Sequence, residues 1–290
     1  MKLKKRFGKN SGKFITEWVM KALMIISLAV VVFAAVFIIF TIVKKGWSCI
    51  TWEMVTSLPG NGFYIGKSGG FLNAIVGSLY IVLASTLLGL IVSIPAVFYL
   101  NVFLKKSSKI ASVARLAYDV LFGIPSIVYG AFAFSIMIFI GMRTSLLGGI
   151  ITTTLLIVPI LIRSMDEVAK NVPSELYEAS FAMGATRTET IRIVLRQILP
   201  GIATATLLSV GRAIGDAAGI MLTTGFSDTI PTSLTQQTAT LPLSIFFQLT
   251  APQAEVQDRA YAAALVLTII VLLISLLGRF ITNHFSKNKI

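Results

Sequence analysis

Two ionisable residues, Arg212 and Asp216, lie within an apolar stretch that the hydropathy pattern predicts to span a membrane over residues 201–224. Their spacing of four places both side chains on one face of a helix. A charge near the middle of a bilayer costs about 2.5–3.5 kcal/mol on insertion scales, so such groups face a bundle interior or a water-filled path. The pair is therefore a functional candidate, as part of a translocation path through the bundle. The alternative is a mutually neutralised ion pair that only fixes helix packing.

Three glycines, Gly211, Gly215 and Gly219, repeat at every fourth position of the same stretch. Small residues at this spacing let another helix backbone approach closely inside a membrane. We therefore expect this fifth span to lie at a helix interface, such as one between two membrane-spanning subunits.

Residues suited to covalent or metal chemistry are scarce. Cys49 is the only cysteine and His284 the only histidine, so the sequence contains no metal-ligating cluster and no imidazole base beside a nucleophile. The run 62–68 is similar to a phosphate-binding P-loop, but Asn61 stands where its first glycine would have to be. We therefore expect neither an enzymatic activity nor a bound cofactor in this chain.

A carboxylate near the inner end of the third apolar stretch has a simpler interpretation. Asp119 follows Arg115 by four residues, which places the two on one helix face. We predict an interfacial ion pair between them rather than a catalytic acid.

A short polar helix is predicted between two long apolar stretches, starting near Pro173 and stopping at Gly184. Thr186 and Glu189 then have the spacing of a capping box, so a second helix restarts at once. One face of the short helix forms an apolar ridge of Leu176, Ser180 and Met183, with Tyr177 and Phe181 beside it. Such a ridge suits the groove of a cytoplasmic partner.

Composition identifies a multispanning membrane protein. Of the 290 residues, 56% are hydrophobic and 13% charged, and the mean hydropathy is +0.86. The net charge of +13 comes from lysine and arginine clusters beside the apolar runs, which is typical of membrane orientation rather than of nucleic-acid binding. We therefore expect a lipid bilayer around the chain and no nucleic-acid partner.

Six spans are predicted, at roughly 19–43, 71–100, 113–141, 146–163, 201–224 and 259–282. Placing both termini in the cytoplasm puts 19 of the 25 Lys and Arg residues on that side, which the positive-inside rule favours. The predicted organisation has three parts: residues 1–70 with a basic N-terminus, the first span and an outside loop; a five-span core, 71–282, with a cytoplasmic loop at 164–200; and a cytoplasmic tail, 283–290.

The pattern of Glu178, Ala179, Gly184 and the aliphatic Val194 resembles the EAA loop of type I ABC importer permeases, with Ser180 in place of a second alanine. Within that family the chain is similar to the phosphate permease subunits of the PstA type. The segments that carry this likeness are 74–80, 123–130, 224–227 and 239–242. The resemblance covers most of the chain.

The resemblance implies an all-α membrane protein with the type I permease fold, acting as a non-enzymatic half of the pathway of a bacterial phosphate importer. It also implies three kinds of partner: a second homologous permease of the PstC type, two copies of a PstB-type ATPase that use ATP and Mg, and an extracytoplasmic phosphate-binding protein of the PstS type. In this family an arginine is followed four positions later by an acid; the matching residues here are Arg212 and Asp216. Glu178, Ala179 and Gly184 would couple the chain to the ATPase.

Two other functions stay open at this point. One is a permease for another oxyanion, such as molybdate or tungstate, because the binding protein usually selects the substrate. The other is an autonomous secondary carrier or channel, which would need no ATPase. The docking helix and the absence of an inverted repeat argue against the carrier.

Overall fold

The computed structural model describes residues 11–60, 68–105 and 107–286. Within these ranges the regular structure comprises ten α-helices and one π-helical turn. Their bounds are α1 Ser11–Cys49, α2 Trp52–Thr56, α3 Leu72–Phe98, the π turn Tyr99–Phe103, α4 Lys109–Phe122, α5 Ser126–Phe139, α6 Leu146–Lys170, α7 Ser174–Ala182, α8 Arg187–Gly215, α9 Leu241–Leu249 and α10 Ala254–Ser286. Parts of the predicted basic N-terminus, outside loop and tail lie outside the described residues, at 1–10, 61–67 and 287–290.

Five described helices are long and apolar enough to cross a membrane: α1, α3 with its π turn, α6, α8 and α10. The sequence predicts another span at 113–141, interrupted by Pro125, and the structure has two helices there, α4 and α5, bent by 101°. Pro125 at the junction has an extended backbone, with φ −59° and ψ 142°. Its ring lacks the N–H that a continuing helix would use, and it disfavours helical backbone at the preceding residue. The third predicted span is therefore broken.

The predicted fifth span, 201–224, also differs from the structure. α8 begins at Arg187, because the predicted capping box forms: the Thr186 amide donates to the Glu189 carboxylate at 2.8 Å, and the Glu189 amide donates to Thr186 Oγ1 at 3.3 Å. The helix ends at Gly215. One continuous helix therefore runs from Arg187, close to Gly184, into the bundle.

After α8 the chain continues through residues 216–240 without a regular helix, yet much of this segment is buried. The amides of Ser145 and Leu146, where α6 begins, donate to the carbonyls of Thr223 at 2.9 Å and Gln236 at 2.7 Å. At its far end, the Leu241 amide donates to Ser78 Oγ at 2.9 Å. Irregular backbone is tolerated at membrane depth only where protein or a water-filled cavity surrounds it. We refer to this part as the inner segment.

The largest buried cluster joins α3, α6 and α8, with Val97, Ile157, Leu161 and Ile198 at its centre. These helices position both the segment between α6 and α8, which contains α7, and the inner segment. In contrast, α1 is exposed along nearly its whole length and packs on α10 near its C-terminal end, where Lys45 lies 4.5 Å from the Tyr261 ring centroid. Its apolar surface is therefore free for lipid or for another subunit.

Candidate coupling and translocation sites

The helix predicted to dock a partner is α7, which follows α6 after three residues. Pro173 has an extended backbone and is the N-cap, where its missing N–H has no consequence. At the other end Gly184 has φ +82°, a conformation that glycine adopts without steric strain. The amides of Gly184 and Ala185 donate to the carbonyls of Phe181 at 2.9 Å and Ser180 at 3.1 Å. These two bonds form a Schellman motif, so α7 ends as predicted, at the glycine.

The outward surface of α7 differs from the predicted ridge. Leu176 and Tyr177 pack against the core of the bundle, and burial raises the pKa of the Tyr177 hydroxyl. Glu178 and Ala179 are exposed, and Met183 is 88% exposed. The prediction that Leu176 and Met183 share one docking face is wrong, because the helix uses its apolar face to hold itself against the bundle. We call Glu178, Ala179 and Met183 the outer face of α7.

A buried hydrogen bond ties α7 to the start of α8. Ser180 Oγ lies 2.9 Å from Thr190 Oγ1, and the Thr190 hydroxyl donates to the Thr186 carbonyl at 3.0 Å. Ser180 is therefore the donor to Thr190. The predicted ridge wrongly includes Ser180, whose side chain instead faces this contact. Nearby, Arg187 Nη1 at the start of α8 donates to the carbonyl of Phe103 in the π turn at 2.7 Å. The start of α8 therefore bonds both to α7 and to the π turn.

Arg212 and Asp216 do not form the predicted pair. Asp216 follows the last residue of α8 and has an extended backbone, with φ −84° and ψ 117°, so the two no longer share a helix face. Among the described residues no hydrogen bond or ion pair joins these two side chains. Instead, Asp216 Oδ2 accepts a bond from the Gly219 amide at 2.9 Å and stabilises the turn after the helix. Arg212 is exposed in the last turn of α8, where the helix dipole favours a cation.

The three glycines of the predicted packing stripe separate into two environments. A Cβ added at Gly211 or Gly215 would meet no atom within 4 Å, so this side of α8 is open. Gly219 lies beyond the helix and contacts α5: a Cβ at Gly130 would stand 2.3 Å from the Gly219 carbonyl oxygen. The prediction of one continuous glycine face is therefore wrong beyond Gly215. Gly211, Arg212 and Gly215 together form the open face of α8.

A buried carboxylate that the sequence analysis missed lies near the C-terminal end of α6, which leads to α7. Asp166 accepts bonds from Arg115 Nε at 3.0 Å, from Asn101 Nδ2 at 2.7 Å and from the Tyr118 hydroxyl, and Lys170 Nζ lies 2.7 Å away. The prediction that Arg115 pairs with Asp119 is therefore wrong, because Arg115 pairs with Asp166 instead. The spacing of four between Asp166 and Lys170 was the only local sign of this network.

A cavity of about 440 Å³ separates α7 from this network. Its wall includes Asn101, Arg115 and Lys170 on one side, and Tyr177 and Glu178 of α7 on the other. Within the described residues no group of three or more His, Cys, Asp or Glu side chains could hold a metal ion.

Known proteins are similar to this chain in sequence and in architecture. A family model described as "Binding-protein-dependent transport system inner membrane component" matches residues 85–289. A "Phosphate transport system permease protein PstA" from Yersinia pestis is 35% identical over 272 residues, covering 92% of this chain and 90% of the relative. The protein of the same name from Haemophilus influenzae is 30% identical over 267 residues, covering 91% and 93%.

Solved structures confirm the predicted fold. A chain of the inward-facing MetNI methionine ABC transporter matches with a TM-score of 0.61 at 21% identity, covering 74% of this chain and 95% of that one. A chain of a bacterial alginate ABC transporter matches with a TM-score of 0.66 at 16% identity, covering 97% and 100%. The architecture is thus that of an ABC importer permease, an all-α protein of the inner membrane with several spans. This chain belongs to the family of binding-protein-dependent transport system inner membrane components and, within it, to the PstA-type permeases.

Proposed function

We propose that this chain is the transmembrane permease subunit of an ATP-driven phosphate importer and forms half of its translocation pathway. The relatives that match along about nine-tenths of its length carry the name of phosphate transport permeases. The arrangement of α7 is the observation that carries the coupling role. A short helix with an exposed outer face is fixed between two long helices by a glycine stop and a buried hydrogen bond.

The ATPase contact in this proposal is the loop 173–200. A partner that binds Glu178 and Met183 on the outer face of α7 displaces a helix joined to α6 by three residues and to α8 by the Ser180–Thr190 bond. Displacement of α7 therefore moves both long helices together. ATP and Mg act in the partner, so this chain holds no cofactor and hydrolyses nothing itself.

Three partners complete the importer. A homologous PstC-type permease contacts the open face of α8 and the exposed length of α1, because both are exposed surfaces in the described part of the chain. A dimer of PstB-type ATPases binds the cytoplasmic loops, and a PstS-type phosphate-binding protein delivers the anion from outside. Both termini lie in the cytoplasm, on the side with 19 of the 25 Lys and Arg residues.

Arg212 is the residue that we assign to the anion path. Its guanidinium is exposed on the open face of α8, where a partner permease would enclose it between two subunits. An arginine there attracts a phosphate oxyanion with charge-assisted hydrogen bonds. Asp216, four residues further along the chain, stabilises the turn after α8 through its bond from the Gly219 amide.

Transport in reconstituted vesicles tests this function. The two permeases and the ATPase are placed in the membrane, with ATP inside the vesicles and the binding protein with labelled phosphate outside. We expect phosphate to accumulate only when ATP, the ATPase and the binding protein are all present. Accumulation of molybdate or tungstate in preference to phosphate would support the other oxyanion permease, and uptake by this chain alone would support a secondary carrier.

A further inference from the structure

The network around Asp166 joins three structural elements at the cytoplasmic end of the bundle. The carboxylate belongs to α6 and is fully buried. Asn101 contributes from the π turn, and Arg115 and Tyr118 contribute from α4. Arg115 Nη2 also lies 3.2 Å from Asp166 Oδ1 and 3.3 Å from Asn101 Oδ1, so the partners of the carboxylate bond to each other as well. A buried charge with this many donors fixes the relative positions of the elements that supply them.

The π turn is an irregular part of α3 that the network holds in place. Leu104 N donates to the Tyr99 carbonyl at 3.1 Å, the wider ring that defines a π-helix, and Pro95 interrupts the helix one turn earlier. Asn101 Nδ2 donates both to the Val97 carbonyl at 2.9 Å and to Asp166. The conformation of this turn is therefore tied to the position of α6.

The same turn also contacts the loop that receives the ATPase. Arg187, just beyond α7, donates to the carbonyl of Phe103 in the π turn. Lys170, which pairs with Asp166, is the last residue of α6 and is followed after three residues by α7. The network therefore connects the helices α3 and α4 to both ends of α7, through Lys170 before it and through the π turn and Arg187 after it.

A second ion pair joins α4 and α6 and provides a natural comparison. Arg163 Nε lies 3.5 Å from Asp119 Oδ1, with side chains 46% and 50% exposed. Exposed pairs of this kind contribute little to stability, because water screens them and two long side chains lose freedom. The two pairs connect the same helices, but only the one at Asp166 is buried and multiply bonded.

We propose that Asp166 is a positioning residue for energy coupling: it clamps the π turn of α3, α4 and the end of α6 into one body, so that displacement of α7 moves the helices instead of being lost locally. This role rests on the proposed function, because it requires a chain driven by an ATPase. It acts through Asn101, Arg115, Tyr118 and Lys170, and it needs no contact with the solute.

The ratio of ATP hydrolysed to phosphate imported tests this role in the reconstituted importer. A variant that merely lowers the amount of complex lowers both rates equally and leaves the ratio unchanged. In Asp166→Asn we expect the ratio to rise about five-fold or more, the scale of a lost coupling free energy between sites. In the control Asp119→Asn we expect the wild-type ratio.

Two further variants separate clamping from simple charge balance. Arg115→Gln combined with Asp166→Asn removes both buried charges; we expect the ratio to stay raised, whereas its return to the wild-type value would show that only charge balance matters. If Asp166→Asn does not assemble, the ratio of ATP hydrolysed to phosphate imported is measured in Tyr118→Phe, which removes one hydroxyl from the network. A raised ratio in that variant supports the role of Asp166. A wild-type ratio in the assembled single variant overturns the inference while the wild-type importer still transports, and a wild-type complex that imports no phosphate overturns the proposed function itself.

Discussion

Arg212 and Asp216 occupy neighbouring positions with different surroundings, and this separates their expected roles. Arg212 presents its charge on the open face of α8. Asp216 uses its carboxylate as a hydrogen-bond acceptor for the Gly219 amide. The first role depends on charge, and the second depends on an acceptor atom of the right geometry.

Loss of the Arg212 charge should therefore reduce transport without reducing assembly. In Arg212→Gln we expect phosphate uptake to fall about ten- to hundred-fold, as for loss of a hydrogen bond to a charged group. Arg212→Lys keeps the charge and should retain part of the uptake. Both are measured in vesicles containing equal amounts of assembled importer, and equal uptake by Arg212→Gln and the wild type would remove Arg212 from the anion path.

At Asp216 we expect transport to depend on the hydrogen-bond acceptor and not on the charge. Asp216→Asn keeps an oxygen that can accept from the Gly219 amide, so uptake should stay close to that of the wild type. Asp216→Ala removes the acceptor and should lower uptake about two- to tenfold through the weakened turn. If Asn lowers uptake as much as Ala does, the negative charge is what matters, and the residue belongs to the path itself.

At the scale of the element, α7 combines a fixed inner face with an exposed outer face. The inner face is fixed because Leu176 and Tyr177 pack against the core and because Ser180 bonds to Thr190. The stop at Gly184 sets where the helix ends and where the chain turns toward α8. Coupling therefore depends on the length and direction of α7 as much as on the residues that touch the ATPase.

Substitutions at Gly184 test this dependence. A Cβ there meets no atom within 4 Å, so the strain comes only from the backbone at φ +82°. Gly184→Val should destabilise the turn by about 1–3 kcal/mol and raise the ATP hydrolysed per phosphate. Gly184→Asn should be mild, because asparagine adopts this conformation more readily than other side chains do. The same ratio in both variants would mean that the backbone conformation of Gly184 has no part in coupling.

The sequence predicted those elements that depend on local chemistry. The run 71–100 contains α3, the run 259–282 lies within α10, and the capping box and the glycine stop formed where their residues stood. Pro125 also predicted an interruption of 113–141, but not that the chain would bend there by 101° into two separate helices. The end of α8 at Gly215 depends on the inner segment, and the partners of Asp166 lie on the distant π turn and α4. No local pattern contains such contacts.

At the scale of the whole molecule, the exposed surfaces define where the rest of the importer must lie. The outer face of α7 is at one end of the bundle, and the open face of α8 and the length of α1 are along its sides. Only part of the apolar surface is therefore available to lipid once the complex has formed. The proposed orientation assigns α7 to the cytoplasm.

Labelling with a membrane-impermeant thiol reagent checks that orientation. Cys49 is first replaced, and single cysteines are introduced at exposed positions: Trp52 and Leu234 on the proposed outer side, and Ser174 at the start of α7. In intact cells we expect the first two to be labelled and Ser174→Cys to be labelled only after the membrane is opened. The reverse result would place α7 outside and remove the coupling role.

The contact between α6 and the inner segment also imposes an order on biogenesis. The amides of Ser145 and Leu146 bond to carbonyls of Thr223 and Gln236, which the ribosome adds only after α7 and α8. Until then α6 has a helix start with unpaired donors, a costly state in hydrocarbon. A chain truncated after α8 lacks both carbonyls and keeps these donors without these partners. The start of α6 can therefore be completed only once the chain has been extended to Gln236.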